Sequence, residues 1–109
     1  ALTLPGAPTA KAHPVVCVPF SAGDMWVWGS SSACAGVADW LSVESTLYKY
    51  NGSSYDYESY NFGACFVCAN VEAVWPTPGG AGWRWVEGFH TGFHHNPDAT
   101  LSGAEFYRP

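Results

Sequence analysis

The chain is expected to fold as an all-β protein, an antiparallel sandwich of about seven strands held by two disulfides. Three observations lead there. Six each of Trp, Tyr and Phe stand against only four basic and nine acidic residues in 109, a composition far poorer in charge than a cytosolic domain. Apolar residues recur at every second position in several segments, and no segment keeps a helical period. Turn signals built from Gly, Pro, Asn and Asp separate those segments at short intervals. The length suits one domain with a core of its own, residues 15–109, behind a Pro-rich arm at residues 1–14.

The elements follow in order. Pro5, Pro8 and Pro14 forbid a helix in the arm and each removes a ladder donor, so extended structure is expected there. Leu2 and Leu4 are its apolar anchors, and Pro5 and Pro8 hold it straight for docking along a neighbouring sheet edge. Residues 15–20 form a short β-branched run. A Gly23-Asp24 turn leads into a second run at residues 25–28. In residues 37–50, Leu41, Val43, Ser45 and Leu47 alternate with Ser42, Glu44, Thr46 and Tyr48, the longest period-two pattern so far. Asn51-Gly52 signals a hairpin, and residues 55–60 return. Parity favours a three-residue loop, Tyr50-Asn51-Gly52, which sets Leu47 opposite Tyr55 and Ser45 opposite Tyr57. Residues 65–75 read as one strand with Cys65, Val67, Ala69, Val71, Ala73 and Trp75 on one face. Pro76-Thr77-Pro78-Gly79-Gly80 is the strongest loop signal. Residues 83–93 form a strand with Trp83, Trp85, Phe89 and Phe93 on one face, and residues 104–108 close the chain.

Four cysteines in a low-charge chain point to an oxidising, extracellular setting. Cys17, Cys34, Cys65 and Cys68 allow three pairings. Cys65 and Cys68 point to opposite faces of a regular strand, so Cys17–Cys34 with Cys65–Cys68 requires the strand to break at Phe66. Otherwise the partners are crossed. A bridge from 17 to 34 would contribute about 3 kcal/mol. The chain opens on Ala1 and reads as the mature form of a secreted protein.

The run from Val43 to Tyr50, the Asn51-Gly52 turn, and Trp83-Arg84-Trp85 followed by two Gly-Phe-His segments resemble small secreted proteins of actinobacterial type. The resemblance implies an immunoglobulin-like sandwich and a function mostly unassigned. Cys17, Trp40 and Cys65 stand in the Cys-Trp-Cys order of immunoglobulin domains.

The composition excludes some functions. Lys11, Lys49, Arg84 and Arg108 are too scattered to follow a phosphate backbone, and the net charge is −5, so nucleic acid is not an expected partner. No apolar run is long enough for membrane insertion. Catalysis is not expected: the carboxylates stand singly and there is no G-x-S-x-G. No cofactor is expected. Metal binding is weakly suggested by His90, His94, His95 and Asp98, with His13 from the arm. On a strand, however, His90 and His94 stand about 13 Å apart, too far to share an ion.

Tyr48, Tyr50, Tyr55, Tyr57 and Tyr60 crowd one hairpin, and Trp83 and Trp85 add broad rings. Such surfaces recognise partners at low entropy cost. The leading expectation is a secreted structural subunit that self-assembles into a fibre or surface layer, with copies of itself as partner, through the arm and the aromatic surface. The alternative is a monomeric module that binds carbohydrate or another protein on the tyrosine hairpin, inhibitors included, or a metal-binding protein using the His cluster.

Overall fold

A computed structural model describes residues 15–17, 19–23, 25–34 and 36–109, with Asn96 through its backbone alone. The arm residues Leu2, Leu4, Pro5 and Pro8, and His13, lie outside the described residues. Among the described residues seven strands follow one another: β1 (Phe20–Gly23), β2 (Trp26–Ser32), β3 (Ala38–Tyr50), β4 (Tyr55–Cys68), β5 (Asn70–Pro76), β6 (Gly82–His94) and β7 (Asn96–Arg108). They form two antiparallel sheets, β1-β2-β5 and β4-β3-β6-β7. This is the immunoglobulin-like order with the fourth strand beside the third.

The sheets enclose small side chains. Leu41, Val43, Ser45 and Leu47 of β3 face Val27, Gly29 and Ser31 of β2, and all seven are buried. One apolar cluster joins Val27, Leu47 and Val86 to Trp75, Ala104 and Phe106. Another joins Val15, Val16, Ala38 and Leu41 to Cys65, Cys68 and Val71. With so little bulk inside, the molecule is a slab with principal extents of 52 × 28 × 15 Å. Gly29 shows how tight the fit is: a Cβ there would lie 2.4 Å from Ser45 Oγ.

A polar chain crosses the interior. Ser31 Oγ donates to the Ser42 carbonyl at 2.9 Å, so it accepts from His90 Nδ1–H at 2.8 Å. That fixes the tautomer. His90 Nε2 then accepts from Ser102 at 2.6 Å, and Ser102 accepts from Ser21 at 2.6 Å. The fully buried His90 thus ties β6 to β2 and β7, and the serine pair ties β7 to β1. Burial holds the imidazole below its usual pKa, partly offset by a hydrogen bond with the Ser30 backbone.

Four local expectations need correction. The hairpin loop is Asn51-Gly52-Ser53-Ser54, since Tyr50 pairs with Tyr55. Asn51 Oδ1 accepts the amides of Ser53 and Ser54, both at 2.9 Å, and Gly52 takes φ 106. A bulge at Glu58 then sets Leu47 opposite Ser59. Tyr55 and Tyr57 therefore leave the core face and pair with Tyr50 and Tyr48 on the outer one. Residues 65–75 are not one strand: the chain changes sheets at Ala69, between β4 and β5. Parity survives the corner, because Cys65, Val71, Ala73 and Trp75 all remain on the inner side while Val67 is exposed. Residues 15–17 make only a bridge, Val16 to Ala33, and the last strand begins at Asn96.

The disulfides are Cys17–Cys34 and Cys65–Cys68, with Cα atoms 4.8 and 6.1 Å apart. Val67 at φ 48 supplies the backbone break that brings Cys65 and Cys68 together. Neither bridge joins the two sheets, so the Cys-Trp-Cys arrangement of immunoglobulin domains is not formed. Trp40 points outward and packs edge-on against Phe66 at 4.9 Å. Two disulfides suit an oxidising compartment. Among the described residues, no helix is long and apolar enough to cross a membrane.

Candidate binding surface on the four-stranded sheet

Strand parity sends residues of one kind to each side of the β4-β3-β6-β7 sheet. From Leu41 to Leu47 the odd positions of β3 face the core, while at its start Ala38 is buried and Asp39 exposed. Its even positions, with their partners on β4, β6 and β7, face out. The register lays them in rows: Phe66, Trp40, Phe93, Pro97; then Ala64, Ser42, Thr91, Ala99; then Phe62, Glu44, Phe89, Leu101. Toward the hairpin come Tyr60, Thr46, Glu87, Gly103; then Tyr57, Tyr48, Trp85, Glu105; and finally the pairs Tyr55–Tyr50 and Trp83–Tyr107. Thirteen of the eighteen rings lie on this one face, and Phe20, Trp26 and Trp28 lie on the outer face of the other sheet. Only Trp75 and Phe106 point between the sheets. Leu, Val, Ser and Gly with the buried His90 fill most of the space between the sheets, so the other rings are left outside.

All seven residues expected to form a binding surface share this face: Tyr48, Tyr50, Tyr55, Tyr57, Tyr60, Trp83 and Trp85. Tyr57 is the most open at 65 %, and Trp85 is partly covered where its ring lies over Gly103. The sequence alone did not reveal Trp40, Phe62, Phe66 and Leu101 as part of the same surface. A period of two in β6 and β3 marked two sides but not which one faces solvent.

The two ends of the face differ chemically. At the end away from the hairpin, Phe66, Phe62, Phe89, Phe93 and Leu101 are all exposed. Glu44 is the only charged residue in those three rows. At the hairpin end, phenols and carboxylates join the rings. Tyr60 donates to Glu44 Oε1 at 2.9 Å. Tyr55, on edge strand β4, donates to Glu105 on the opposite edge strand β7, so this contact spans the two central strands. That hydrogen bond is the main reason the Tyr55 phenol is pushed up to about 12, with desolvation and the Glu105 charge adding to it. Tyr55 therefore stays neutral across the physiological range. Beneath the contact, Tyr50, Tyr55, Trp83 and Glu105 line an open depression of about 360 Å³.

Glu44, Glu87 and Glu105 give the face three carboxylates. By register, the described basic residues Lys49, Arg84 and Arg108 all lie on the other side of the sheet. Arg84 is fully buried. Its Nε donates to Glu58 at 2.8 Å, and its terminal nitrogens donate to the carbonyls of Gly79, Gly80 and Gly82 at 3.2–3.4 Å. This clasp fixes the β5–β6 loop against the β4 bulge, and so sets the outward aim of the flanking Trp83 and Trp85.

Of the four metal candidates, only His94 and His95 lie side by side. His90 is sealed in the core. Asp98 Oδ2 accepts the amides of Val15 and Val16 at 2.8 and 3.0 Å. His94 stands 3.8 Å from Asp39, with its ring 4.4 Å from that of His95. No group of three ligating side chains forms among the described residues. No protein-family model matches this sequence, and no curated protein matches it.

Proposed function

We propose that this chain is an extracellular structural subunit that self-assembles by stacking through the outer faces of its two sheets. The observation that carries this reading is the presence of apolar patches on both broad sides of one thin slab. On the four-stranded side, Phe62, Phe66, Phe89, Phe93 and Leu101 are exposed; on the three-stranded side, Phe20, Trp26 and Val74 are. Contiguous exposed apolar area of this kind marks interaction surfaces. Opposed patches favour open stacking over a closed dimer.

Three rows on four strands cover about 19 × 20 Å, so one contact would bury roughly 800 Å² in total. That is small for a lasting dimer, and it suits a lattice in which each subunit is held on both sides. Secretion fits the two disulfides, and the low content of charge fits a surface meant to be covered.

The test is the mass in solution of the full chain by light scattering, together with Leu101→Glu on one face and Trp26→Glu on the other. Both positions are exposed, so the fold is expected to survive. The parent should grow beyond dimers, each single variant should cap growth, and the double variant should be monomeric. A parent that stays at 11.7 kDa at every concentration would sink the proposal and leave a monomeric binding module in its place.

A further inference from the structure

We infer that the depression between Tyr50, Tyr55, Trp83 and Glu105 is a site for a quaternary ammonium group, of the kind carried by choline or trimethyllysine. The site goes beyond assembly: it lies at the hairpin end of the face, away from Leu101 and Phe66.

Three observations converge. The first is ring geometry. Tyr50 and Tyr55 are inclined at 50° with centroids 5.3 Å apart, and Trp83 meets Tyr107 at 66° and 5.3 Å. Rings inclined to one another turn several faces toward one small cation. A cation near several ring faces is attracted by each quadrupole, most strongly by Trp. The second is charge. Glu105 lines the depression, and Glu44 and Glu87 share its face with no basic side chain among the described residues there. An anion is repelled, a neutral polyol gains nothing from the field, and a cation is drawn in. The third is the state of the phenol. Tyr55 donates a hydrogen bond to Glu105, which holds the neutral phenol and the carboxylate together at the depression.

A methylated ammonium suits this site better than a bare one. It has no N–H needing an acceptor, and its methyl groups pack on the rings at low desolvation cost. A phosphate next to the ammonium would meet the carboxylates, so a phosphocholine headgroup should bind worse than choline or trimethyllysine.

The experiment titrates the full chain with choline, N-acetyl-trimethyllysine amide, phosphocholine and 3,3-dimethylbutan-1-ol, the uncharged isostere of choline. Binding is followed by the NMR shift of the Trp83 indole N–H, assigned with Trp83→Phe. Choline and the trimethyllysine compound should give saturable shifts, with the isostere and phosphocholine about tenfold weaker or more. Trp83→Ala, followed by calorimetry because the variant lacks the reporter, should abolish binding, and Glu105→Gln should weaken it by about threefold to tenfold. Tyr55→Phe keeps the ring and frees the carboxylate, so affinity should hold or rise. All three positions lie outside the core, and the unchanged remainder of the spectrum reports folding.

Equal binding of choline and the isostere, preference for a neutral oligosaccharide, or no saturable shift at Trp83 would each overturn the assignment. These outcomes are independent of assembled mass: Leu101→Glu with Trp26→Glu removes stacking and leaves this site intact.

Discussion

Replacing Arg84 with Met tests the clasp that holds the hairpin end of the face. Met keeps the length of the stem and removes the guanidinium. In the parent the guanidinium is wholly buried, while Glu58 is 19 % exposed. The variant leaves Glu58 and the carbonyls of Gly79, Gly80 and Gly82 without their donor. Breaking a buried pair by removing one partner costs about 3–5 kcal/mol. Glu58 and the exposed glycine carbonyls can regain water, so the lower end applies, about 3 kcal/mol. With an unfolding entropy of about 2.1 cal/mol/K per residue over 109 residues, each kcal/mol moves the melting temperature by about 4 °C, and the variant should melt about 13 °C lower. Thermal unfolding without reductant, followed by tryptophan fluorescence, measures the shift. Glu58→Gln and the double variant complete a cycle whose coupling should exceed about 1 kcal/mol, since the two groups are in direct contact. A shift under about 3 °C, or coupling near zero, would mean that the clasp is incidental and that the ladder alone holds the loop.

Two further predictions concern the polar interior. His90 has a lowered pKa in the fold, mainly from burial, so below the unfolded value of about 6.5 the unfolded chain binds more protons than the folded one. Stability should therefore fall as pH drops from about 7 toward 5; in His90→Gln that slope should flatten, and an identical slope in both proteins would refute the assignment. Ser45 Oγ is buried without a hydrogen-bond partner. Ser45→Ala should be neutral or stabilising by up to about 1 kcal/mol in urea unfolding, and a loss larger than that would mean the hydroxyl is satisfied in solution.

Alternation along β3 and β6, punctuation at Asn51-Gly52 and at Pro76 to Gly80, and the four cysteines were enough to specify an all-β sandwich. Those features are local, so they are legible in the chain itself. The tyrosines of the hairpin and Trp83 and Trp85 could be grouped for the same reason: each pair lies within a strand or across one turn. Register was not legible. The Asn51 side chain stretches the loop to four residues, and the Glu58 bulge follows Arg84, which lies 26 positions along the chain. The loop moves Tyr55 and Tyr57 to the outer face, and the bulge puts Tyr60 there with them. Nor does the sequence say which side of an alternating strand is inside. Trp40 and Phe93 look like core residues by hydrophobicity alone. Only the packing of Gly29 against Ser45, and of His90 between Ser31 and Ser102, leaves too little space for rings between the sheets and turns thirteen of them outward. Local pattern therefore determined the class of fold, while the thin interior, a property of two sheets meeting, decided that this protein carries most of its aromatic side chains on its surface.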